Sequence, residues 1–449
     1  YTFNERYLLT ASLRRDGSSK FAPNRRFGIF PAVAVGWRLK EEDWFKNLEW
    51  LSALKFRASY GVIGNDKVPQ TAFKPPVTSR LDAIFGPDEK FFPGATINLL
   101  ANPDLHWEET HQTDIGFEAG FFKNRLTTEI DYYNRKTLDI ITQVAIPAYV
   151  GAQDPPFVNA ASLVNGGFDF NLGWRDKTDS KFGYHFNVIF STVHNEILSL
   201  GEGKTEIFGG GIGEGGKLGT RTTIGSSIGA YYGYKVAGVY QNTDQLKNLA
   251  KRTGEVAGVD VKIGDLIYQD TNGDGVIDSK DRVFLGSAIP TYTFSVNLGA
   301  EYAGFDVSMQ ITGVGGNKVM NAKRLARFST GSFESSFLNG WTEINPSNFE
   351  PRVTIGGRNY EVSDRFIEDG SFTSIRNLQI GYTLPLSIAK TLKMQSLRIY
   401  AAATNLKMWT SYSGYTPEIT NGGDSFSPGI DRGVYPVGRT YTVGLNVVF

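Results

Sequence analysis

Residues 270–281 have the composition and spacing of a calcium-binding loop, reading DTNGDGVIDSKD. Calcium prefers about six to eight hard oxygen ligands, and such a loop wraps them around one centre, with Gly275 at the sharp sixth position. The predicted ligands are the side-chain oxygens of Asp270, Asn272, Asp274, Asp278 and Asp281 and the backbone carbonyl of Val276. We therefore predict a bound Ca²⁺ ion with a structural role, which is to stiffen the loop.

The calcium-type loop departs from a helix–loop–helix calcium sensor in two respects. Asp281 occupies the last position, where an EF-hand has a glutamate whose longer side chain makes a bidentate contact. The flanking sequence also lacks clear helical patterns. We interpret the motif as a calcium loop within a long extracellular excursion, and the alternative is a solvated turn of Asp, Asn and Gly residues.

A second motif, in residues 208–219, has the glycine spacing of a dinucleotide-binding loop. Gly211, Gly213 and Gly216 form a G-x-G-x-x-G pattern. A dinucleotide site needs this pattern between a strand and a helix, and the surrounding sequence predicts only a loop. We interpret the segment as a mobile loop that could help to contact a ligand or a partner, together with Tyr231, Tyr232, Tyr234 and Tyr240.

The remaining polar residues provide no recognisable catalytic site. The histidines are His106, His111, His185 and His194, and their spacing offers no short metal-binding pair. No G-x-S-x-G, H-E-x-x-H or phosphate-binding glycine loop occurs in the sequence. The absence of cysteine excludes disulfides, Cys-ligated zinc and cysteine nucleophiles. We predict that the protein is not an enzyme.

The elements that carry these residues are predicted from hydrophobic residues that recur at every second position in about a dozen segments. In one segment, Leu54, Phe56, Ala58 and Tyr60 alternate with Lys55, Arg57 and Ser59. Each segment is close to the roughly 9–11 residues with which a tilted strand crosses a bilayer. Charged residues at the alternate positions are Arg14, Lys55, Arg57, Asp114, Glu118, Glu129, Asp131, Arg135 and Glu301. We expect them to face a wet lumen rather than to form paired catalytic carboxylates.

Two architectures could use such strands, a soluble sandwich and an outer-membrane barrel. A barrel alternates short and long connections, whereas a soluble domain rarely has several very long ones. Short connections are predicted at 122–125, 175–180 and 303–304, and long ones at 64–104, 142–165, 194–290 and 315–371. Aromatic residues also crowd the strand ends, namely Trp44, Phe45, Trp50, Phe121, Phe122, Trp174, Trp409 and Tyr412. The sequence therefore favours an all-β, antiparallel transmembrane β-barrel.

Several longer segments resemble one family of outer-membrane proteins. They include RYLLTASLRRDGSSKF, LKFRASYGVIGND, NPDLHWEETHQTDIGFEAGFF, IGAYYGYKVAGVYQ, DTNGDGVIDSKDRVFLG, IRNLQIGYTLP and the terminal GRTYTVGLNVVF. In this order they are similar to the C-terminal half of SusC/RagA-type TonB-dependent outer-membrane transporters of Bacteroidetes, and the similarity covers essentially the whole chain.

The resemblance implies a plugged barrel of about 22 strands. Residues 1–449 would form its C-terminal part, with about the last 12 of those strands and long extracellular loops. Residues 194–290 would be a large extracellular excursion that carries the calcium-type loop at 270–281. The plug and the N-terminal domains would lie outside this chain, so we expect it to be part of a longer protein.

The resemblance also implies a function at the cell outer membrane. The expected activity is TonB-dependent active import of a large nutrient, with glycan oligosaccharides as the first choice and a SusD-like surface lipoprotein as the lid. The TonB complex, acting through the missing N-terminal part, the cargo and outer-membrane lipid would be the other partners. Nucleic acid is not expected, because the 46 basic and 46 acidic residues cancel.

Two alternatives stay open, oligopeptide import by the same mechanism and a calcium-stiffened structural or adhesive barrel. Residues 64–104, 194–290 and 315–371 are our candidates for a surface that faces the lid. The aromatic residues Tyr231, Tyr232, Phe333 and Phe337 are candidates for stacking on sugar rings or packing on peptide side chains.

Overall fold

The computed structural model describes residues 1–70, 72–74, 77–79, 83–97, 100–143, 156–178, 182–201, 203–212, 216–248, 251–252, 260–326, 334–419 and 425–449. The chain forms two compact units. The first contains residues 1–171 and 194–205, and the second contains residues 172–193 and 206–449. Within the described residues, no helix combines the length and the apolar character needed to cross a membrane.

Twelve long strands account for the predicted dozen. They are β1 Tyr7–Gly17, β2 Phe27–Arg38, β3 Leu51–Asn65, β4 Glu108–Phe121, β5 Leu126–Gln143, β6 Phe157–Lys177, β7 Gly183–Thr192, β8 Tyr292–Tyr302, β9 Phe305–Gly315, β10 Phe372–Thr383, β11 Ser396–Thr410 and β12 Thr440–Val448.

The long strands are hydrogen-bonded to their neighbours in chain order. In the first unit the order runs from the short strand Thr2–Phe3 through β1 to β6, and His194–Ser199 pairs with β6. In the second unit the order runs from β7 to β12. Among the long strands, every pair whose register is described is antiparallel, as expected for strands joined by simple reversals.

The two faces of these strands differ in the way the sequence predicts, but their exposure is the reverse of a soluble sheet. Large apolar side chains such as Leu13, Phe56 and Ile115 in the first unit, and Ile380 and Val443 in the second, are exposed. In a soluble protein such a continuous apolar surface is rare. It is the surface expected of strands that meet lipid.

Short and long connections alternate along the chain. Residues 122–125 and 303–304 form short turns, as predicted, while Ser180 of the third predicted turn lies outside the described residues. Residues 66–107, 193–291, 316–371 and 411–439 are the longest connections, and the last of them was not predicted.

One predicted boundary is wrong. Strand β6 begins at Phe157, within the predicted loop 142–165, and pairs there with His194–Ser199, so that Leu163 lies opposite Ile197. This pairing gives the early part of β6 neighbours other than lipid. Its sequence therefore lacks the apolar alternation by which the other strands were recognised.

The connections contain short elements of their own. The helices are α1 Asp43–Lys46, α2 Thr243–Asn248, α3 Ala322–Ala326 and α4 Leu386–Thr391, and the 3-10 turns are Leu39–Glu41, Ser279–Asp281, Ser335–Asn339, Arg358–Tyr360 and Asp364–Phe366. Two-stranded sheets pair Val77–Ser79 with Ala95–Ile97, Ala83–Phe85 with Lys90–Phe92, Val236–Val239 with Leu266–Tyr268, Lys251–Arg252 with Val276–Ile277, and Lys318–Met320 with Ile367–Asp369. A four-stranded sheet contains Glu206–Ile212, Lys217–Thr223, Ala230–Gly233 and Val283–Gly286.

The buried hydrophobic clusters lie mainly in these connections. In the first unit, the cluster contains Phe21, Phe30, Val68, Ala72, Leu105 and Trp107. In the second unit, the largest contains Ile212, Tyr231, Met320, Ala322, Leu325, Tyr360, Val362, Phe366 and Ile430. The long connections are thus folded against cores of their own, as loops of this length must be if they are to hold one conformation.

Candidate functional site

The calcium-type loop is organised around the carboxylate of Asp281, which is fully buried. Its Oδ1 accepts the backbone N–H of Thr271 at 2.8 Å, and its Oδ2 accepts that of Asp278 at 2.9 Å. Asp278 in turn accepts the backbone N–H of Lys280 at 2.7 Å, which completes a capping box on the 3-10 turn Ser279–Asp281. Asp281 thereby ties the last residues of the loop to the first ones.

The first half of the loop folds around Asp270. Its carboxylate accepts the backbone N–H of Gly273 at 2.7 Å and that of Gly275 at 2.8 Å. Both glycines have positive φ angles, 77° and 83°, which explains why glycine stands at these positions. The side chain of Asn272 accepts the N–H of Asp274 at 2.9 Å, and Asp274 accepts that of Val276 at the same distance.

The predicted ligands suit calcium in their chemistry, because each offers oxygen. Within the described residues, however, no group of three or more His, Cys, Asp or Glu side chains lies close enough together to hold a metal ion. The calcium site therefore stays a prediction. Burial raises the pKa of Asp281, but backbone N–H groups of Asp278, Thr271 and Asn272 outweigh that effect, and its pKa lies below the usual range.

A second group of charged side chains lies on β3, β4 and β5 in the first unit. Arg57 donates from Nε to Asp131 Oδ1 at 3.0 Å, and its terminal nitrogens contact Glu118 and Glu129. Lys55 donates to Glu118 at 3.1 Å. These side chains share the strand face opposite the exposed Phe56, as the alternation predicts.

The backbone of β4 leaves space for this network at Gly116. A Cβ atom there would lie 1.8 Å from Asp131 Oδ1, so only glycine allows Asp131 to turn towards Arg57. Other charges predicted on this face have local partners instead. In the first unit Arg14 pairs with Asp16, and in the second Glu301 lies 3.5 Å from Lys177.

The described histidine contacts are with carboxylates, a tyrosine hydroxyl and, for His106, the backbone carbonyl of Asp104. In the first unit, His106 Nε2 lies 3.4 Å from Asp139, and His111 Nε2 lies 3.2 Å from Glu109. The other ring nitrogen of His111 lies 2.6 Å from the hydroxyl of Tyr60. Such pairs are ordinary for polar groups at a barrel surface and give no arrangement for metal-assisted chemistry.

The tyrosines predicted to contact cargo are buried in the second unit. Tyr231, Tyr232, Tyr234 and Tyr240 are at most 8% exposed. The hydroxyl of Tyr231 donates to the carbonyls of Pro428 and Gly429 at 3.1 and 2.8 Å. The interpretation of these rings as free cargo contacts is therefore wrong. The sequence predicts only a loop at these positions, because the residues that cover the rings lie elsewhere in the chain.

Other candidate residues of the connections also differ from expectation. Glu206–Ile212 and Lys217–Thr223 form paired strands where a mobile glycine loop was expected, although Gly213 lies outside the described residues. Phe337 packs against the largest core of the second unit, and Phe333 lies outside the described residues. Tyr412, expected in an aromatic girdle, is buried and donates to Asp431 at 2.5 Å.

The strand pattern and the exposed apolar face agree with a comparison to protein families. Residues 1–406 match the family described as "TonB dependent receptor-like, beta-barrel". The chain belongs to this family. The outer-membrane location predicted from the sequence is thereby confirmed, and so is the prediction that the chain is not an enzyme, because the family consists of transport barrels.

Individual relatives of this TonB-dependent receptor chain are of the SusC and RagA type. TonB-dependent receptor P3 of Formosa agariphila is 31% identical over 100% of the chain and 44% of its own length. TonB-dependent receptor SusC of Bacteroides thetaiotaomicron is 28% identical over 100% of the chain and 43% of its own length. The chain thus spans somewhat less than half the length of these curated relatives.

Solved structures of the RagAB peptide transporter show the same fold. One matches 100% of the chain and 46% of its own chain with a TM-score of 0.81 and 24% identity. The RagAB peptide importer in its "closed-closed" state matches with a TM-score of 0.79 and 25% identity, again over 46% of its own chain. The predicted all-β fold, the C-terminal half of such a barrel, is confirmed.

Proposed function

We propose that this TonB-dependent receptor chain serves active import of a large nutrient across the outer membrane, most readily glycan oligosaccharides. The observation that carries the proposal is the family match over residues 1–406, on strands whose exposed apolar face suits lipid. The opposite face, with the network around Arg57, is polar enough to border an aqueous path. Energy coupling to the TonB complex would reside in the remainder of the protein.

A SusD-like surface lipoprotein is the proposed partner, acting as a lid. The long connection between β9 and β10 supports this proposal, because it carries large apolar side chains that are mostly exposed to solvent. They are Leu338, Ile344, Phe349 and Ile355, and Ile344 is 97% exposed. Exposed apolar side chains of this size are ones that a partner protein would cover.

Glycan import, oligopeptide import and a barrel without transport differ in the cargo that they require. Tyr415 and Tyr435, on the connection after β11, are 71% and 89% exposed and favour sugar rings, on which they can stack. Oligopeptides are the second candidate, because a structural relative at 25% identity, RagAB, is a peptide importer. A structural or adhesive barrel without transport is the third and would need neither cargo nor TonB.

Growth of the native bacterium tests these alternatives directly. Deleting the full-length gene should abolish growth on one class of glycan as sole carbon source, and deleting TonB should have the same effect. Loss of growth on oligopeptides alone would support the second candidate, and unchanged growth on both would reject import. Purification from outer membranes should recover a lipoprotein in stoichiometric amount, and Ile344→Asp with Ile355→Asp should release it.

We further propose that the loop at 270–281 binds Ca²⁺. Asp270, Asn272, Asp274, Asp278, Asp281 and the carbonyl of Val276 would hold the ion, which would stiffen the connection. Calorimetric titration of the full-length protein should show weak binding, about 10⁻⁴ to 10⁻³ M for an extracellular module, and Asp274→Ala should weaken it. Asp244→Ala, an exposed carboxylate elsewhere in the same connection, is the control. Equal binding by both variants would remove the assignment.

A further inference from the structure

The four-stranded sheet between β7 and β8 has one covered face and one open face. Thr220, Thr222 and Tyr231 point to the covered side and are fully buried. On this side Thr220 donates to the carbonyl of Phe426 at 2.7 Å, and the ring of Tyr231 belongs to the largest core of the second unit. The side chains of the neighbouring positions must therefore lie on the opposite side.

The open face carries aromatic rings with arginines between them. Strand register places Phe208 opposite Arg221 and Tyr232 opposite Phe284. Phe208 and Phe284 are 39% and 44% exposed, although both sit on regular strands of a folded sheet. The ring centroid of Tyr232 is 6.2 Å from that of Phe208 and 5.6 Å from that of Phe284. We call Phe208, Arg221, Tyr232, Arg282 and Phe284 the Arg–aromatic face.

The two arginines of this face are held differently. The guanidinium carbons of Arg221 and Arg282 lie 4.7 and 4.8 Å from the ring centroid of Tyr232. Arg221 is neutralised by Glu206, at 2.6 Å. Arg282 instead donates from one terminal nitrogen to the carbonyls of Leu218 and Tyr232, at 2.6 and 2.8 Å.

Arg282 is thus a fixed cation with no described carboxylate in contact, because Glu361, the carboxylate that acts on it electrostatically, is paired with Lys217 at 3.1 Å. Among the described residues, none of the ion pairs within 4.0 Å involves it. Burial lowers its pKa, and Tyr234, Tyr232 and Glu361 act in the opposite direction. The carbonyl contacts described for Arg282 use one terminal nitrogen, so the other N–H groups of the guanidinium are donors that an anionic ligand would satisfy.

We propose that the Arg–aromatic face binds acidic oligosaccharides, with sugar rings on Phe208 and Phe284 and a carboxylate or sulfate ester on Arg282. This inference rests on the proposed import function and narrows its cargo to charged glycans. Flat exposed rings suit the face of a pyranose, and a guanidinium fork suits a planar carboxylate or a sulfate. A neutral glycan would leave Arg282 without its partner, and an acidic peptide would offer no flat ring for stacking.

Binding by the full-length protein in detergent tests this assignment. Isothermal titration would use four probes: hexagalacturonate for carboxylate, a sulfated galactan hexasaccharide for sulfate ester, maltohexaose as the neutral sugar, and hexaglutamate as the acidic peptide. At least one acidic sugar should bind about tenfold or more tightly than maltohexaose, since a charge-assisted contact has that scale. The two acidic sugars identify which anion is preferred.

Variants separate the anion contact from the stacking. Arg282→Gln should weaken the acidic sugar about tenfold and leave maltohexaose unchanged, while Phe284→Leu should weaken both. Arg282→Lys keeps the charge and guards against a folding defect, so it should retain more of the affinity than Arg282→Gln. Lys247→Gln, which removes an exposed charge of the same connection, should bind as the unaltered protein does.

The outcomes distinguish this inference from the import proposal. Equal binding of acidic and neutral sugars, no effect of Arg282→Gln, or preference for hexaglutamate would each overturn the assignment of acidic glycans. Import could still operate in all three cases, as growth on the cargo would show. Conversely, the protein could bind acidic sugars selectively while deletion of its gene leaves growth unchanged. That result would reject import and retain the assignment of acidic oligosaccharides to the Arg–aromatic face.

Discussion

The twelve long strands and the folded connections of the second unit place their large apolar side chains in opposite environments. On β12, Val443 is 81% exposed and its neighbours Tyr441 and Leu445 are exposed too. In the connections, residues of similar hydrophobicity such as Met320 and Leu325 are fully buried. Met320 lies on a short strand and Leu325 in α3, so the hydrophobicity of a residue alone does not tell whether a protein core covers it.

What differs is the surroundings of the apolar face. The long strands β1–β12, which we call the membrane wall, can leave that face uncovered because lipid solvates it. A strand of a connection must find a protein core, as Tyr231 does among Met320, Phe366 and Ile430. We therefore expect substitutions of equally exposed apolar residues to change stability by different amounts in the two regions.

The largest effect is expected at the core of the connections. Tyr231→Ala would remove a fully buried ring and leave the carbonyl of Pro428 without its tyrosine donor, while that of Gly429 keeps the backbone N–H of Met320. Loss of a large buried aromatic side chain costs about 3–5 kcal/mol. Hydrogen exchange of the full-length protein should show loss of protection in residues 206–233 and 425–431, while β8–β12 stay protected.

Val443→Ala is the matched variant on the membrane wall. It also shortens an apolar side chain, but one that packs on no protein core, so exchange and stability in lipid should change by about 1 kcal/mol or less. Equal losses for the two variants would contradict the view that the two regions differ in what covers their apolar faces.

A charge placed on each region should produce the second largest effect. Val443 and Ile355 are exposed to nearly the same extent, 81% and 85%. Val443→Arg should destabilise the barrel by about 2–4 kcal/mol if it lies near the bilayer midplane, whereas Ile355→Arg should be close to neutral because a connection is solvated by water. Urea unfolding of the full-length protein in lipid vesicles measures both. A neutral Val443→Arg would show that β12 does not face lipid at this position.

The network on the polar face should give an intermediate effect. Arg57→Ala would leave Glu118, Glu129 and the buried Asp131 without their shared cation. For a partly buried group of this kind we expect a loss of about 1–3 kcal/mol in the same unfolding experiment. Adding Asp131→Asn should restore part of it.

Arg14→Ala is the control for the network, because Arg14 is 72% exposed and pairs only with Asp16 among the described residues. Its loss should be below about 1 kcal/mol. If Arg14→Ala were as destabilising as Arg57→Ala, the contacts around Arg57 would contribute no more than an ordinary surface pair.

The sequence was sufficient to place side chains on the two faces of the long strands, and it was insufficient to place those of the connections. Lys55, Arg57 and Glu118 could be placed on one face because strand neighbours follow chain order and alternation fixes the side. Tyr231 and Tyr412 could not be placed, since their burial depends on residues 428–431, far away in the chain. Such long-range packing leaves no local pattern.

The Arg–aromatic face illustrates the same limit. Phe208 and Phe284 are far apart in sequence and come together only through the intervening strands with Arg221 and Tyr232. A glycine-rich stretch suggested a mobile loop, whereas the register of Glu206–Ile212 with Lys217–Thr223 makes it a sheet. The calcium-type loop was the opposite case, because the hydrogen bonds from its backbone to its carboxylates are local and its turns follow from the order of Asp, Asn and Gly.

The smallest predicted effect concerns acid and the buried carboxylate of Asp281. Because its pKa is lowered in the folded loop, its contribution to stability is complete above the ordinary Asp pKa of about 3.9 and is lost as the pH falls further, through the lowered pKa. Protection factors for residues 270–281, which divide out the intrinsic pH dependence of exchange, should therefore decrease once the pH is below about 4.

Asp281→Asn should reduce the free energy of local opening, obtained from these protection factors, by about 1 kcal/mol at neutral pH and remove this acid dependence. Asp244→Asn should do neither, since Asp244 is exposed. A loop whose protection stays constant down to pH 2, or an Asp281→Asn variant with an unchanged profile, would mean that the carboxylate is not what closes it, and the connection would then owe its order to its hydrophobic cores alone.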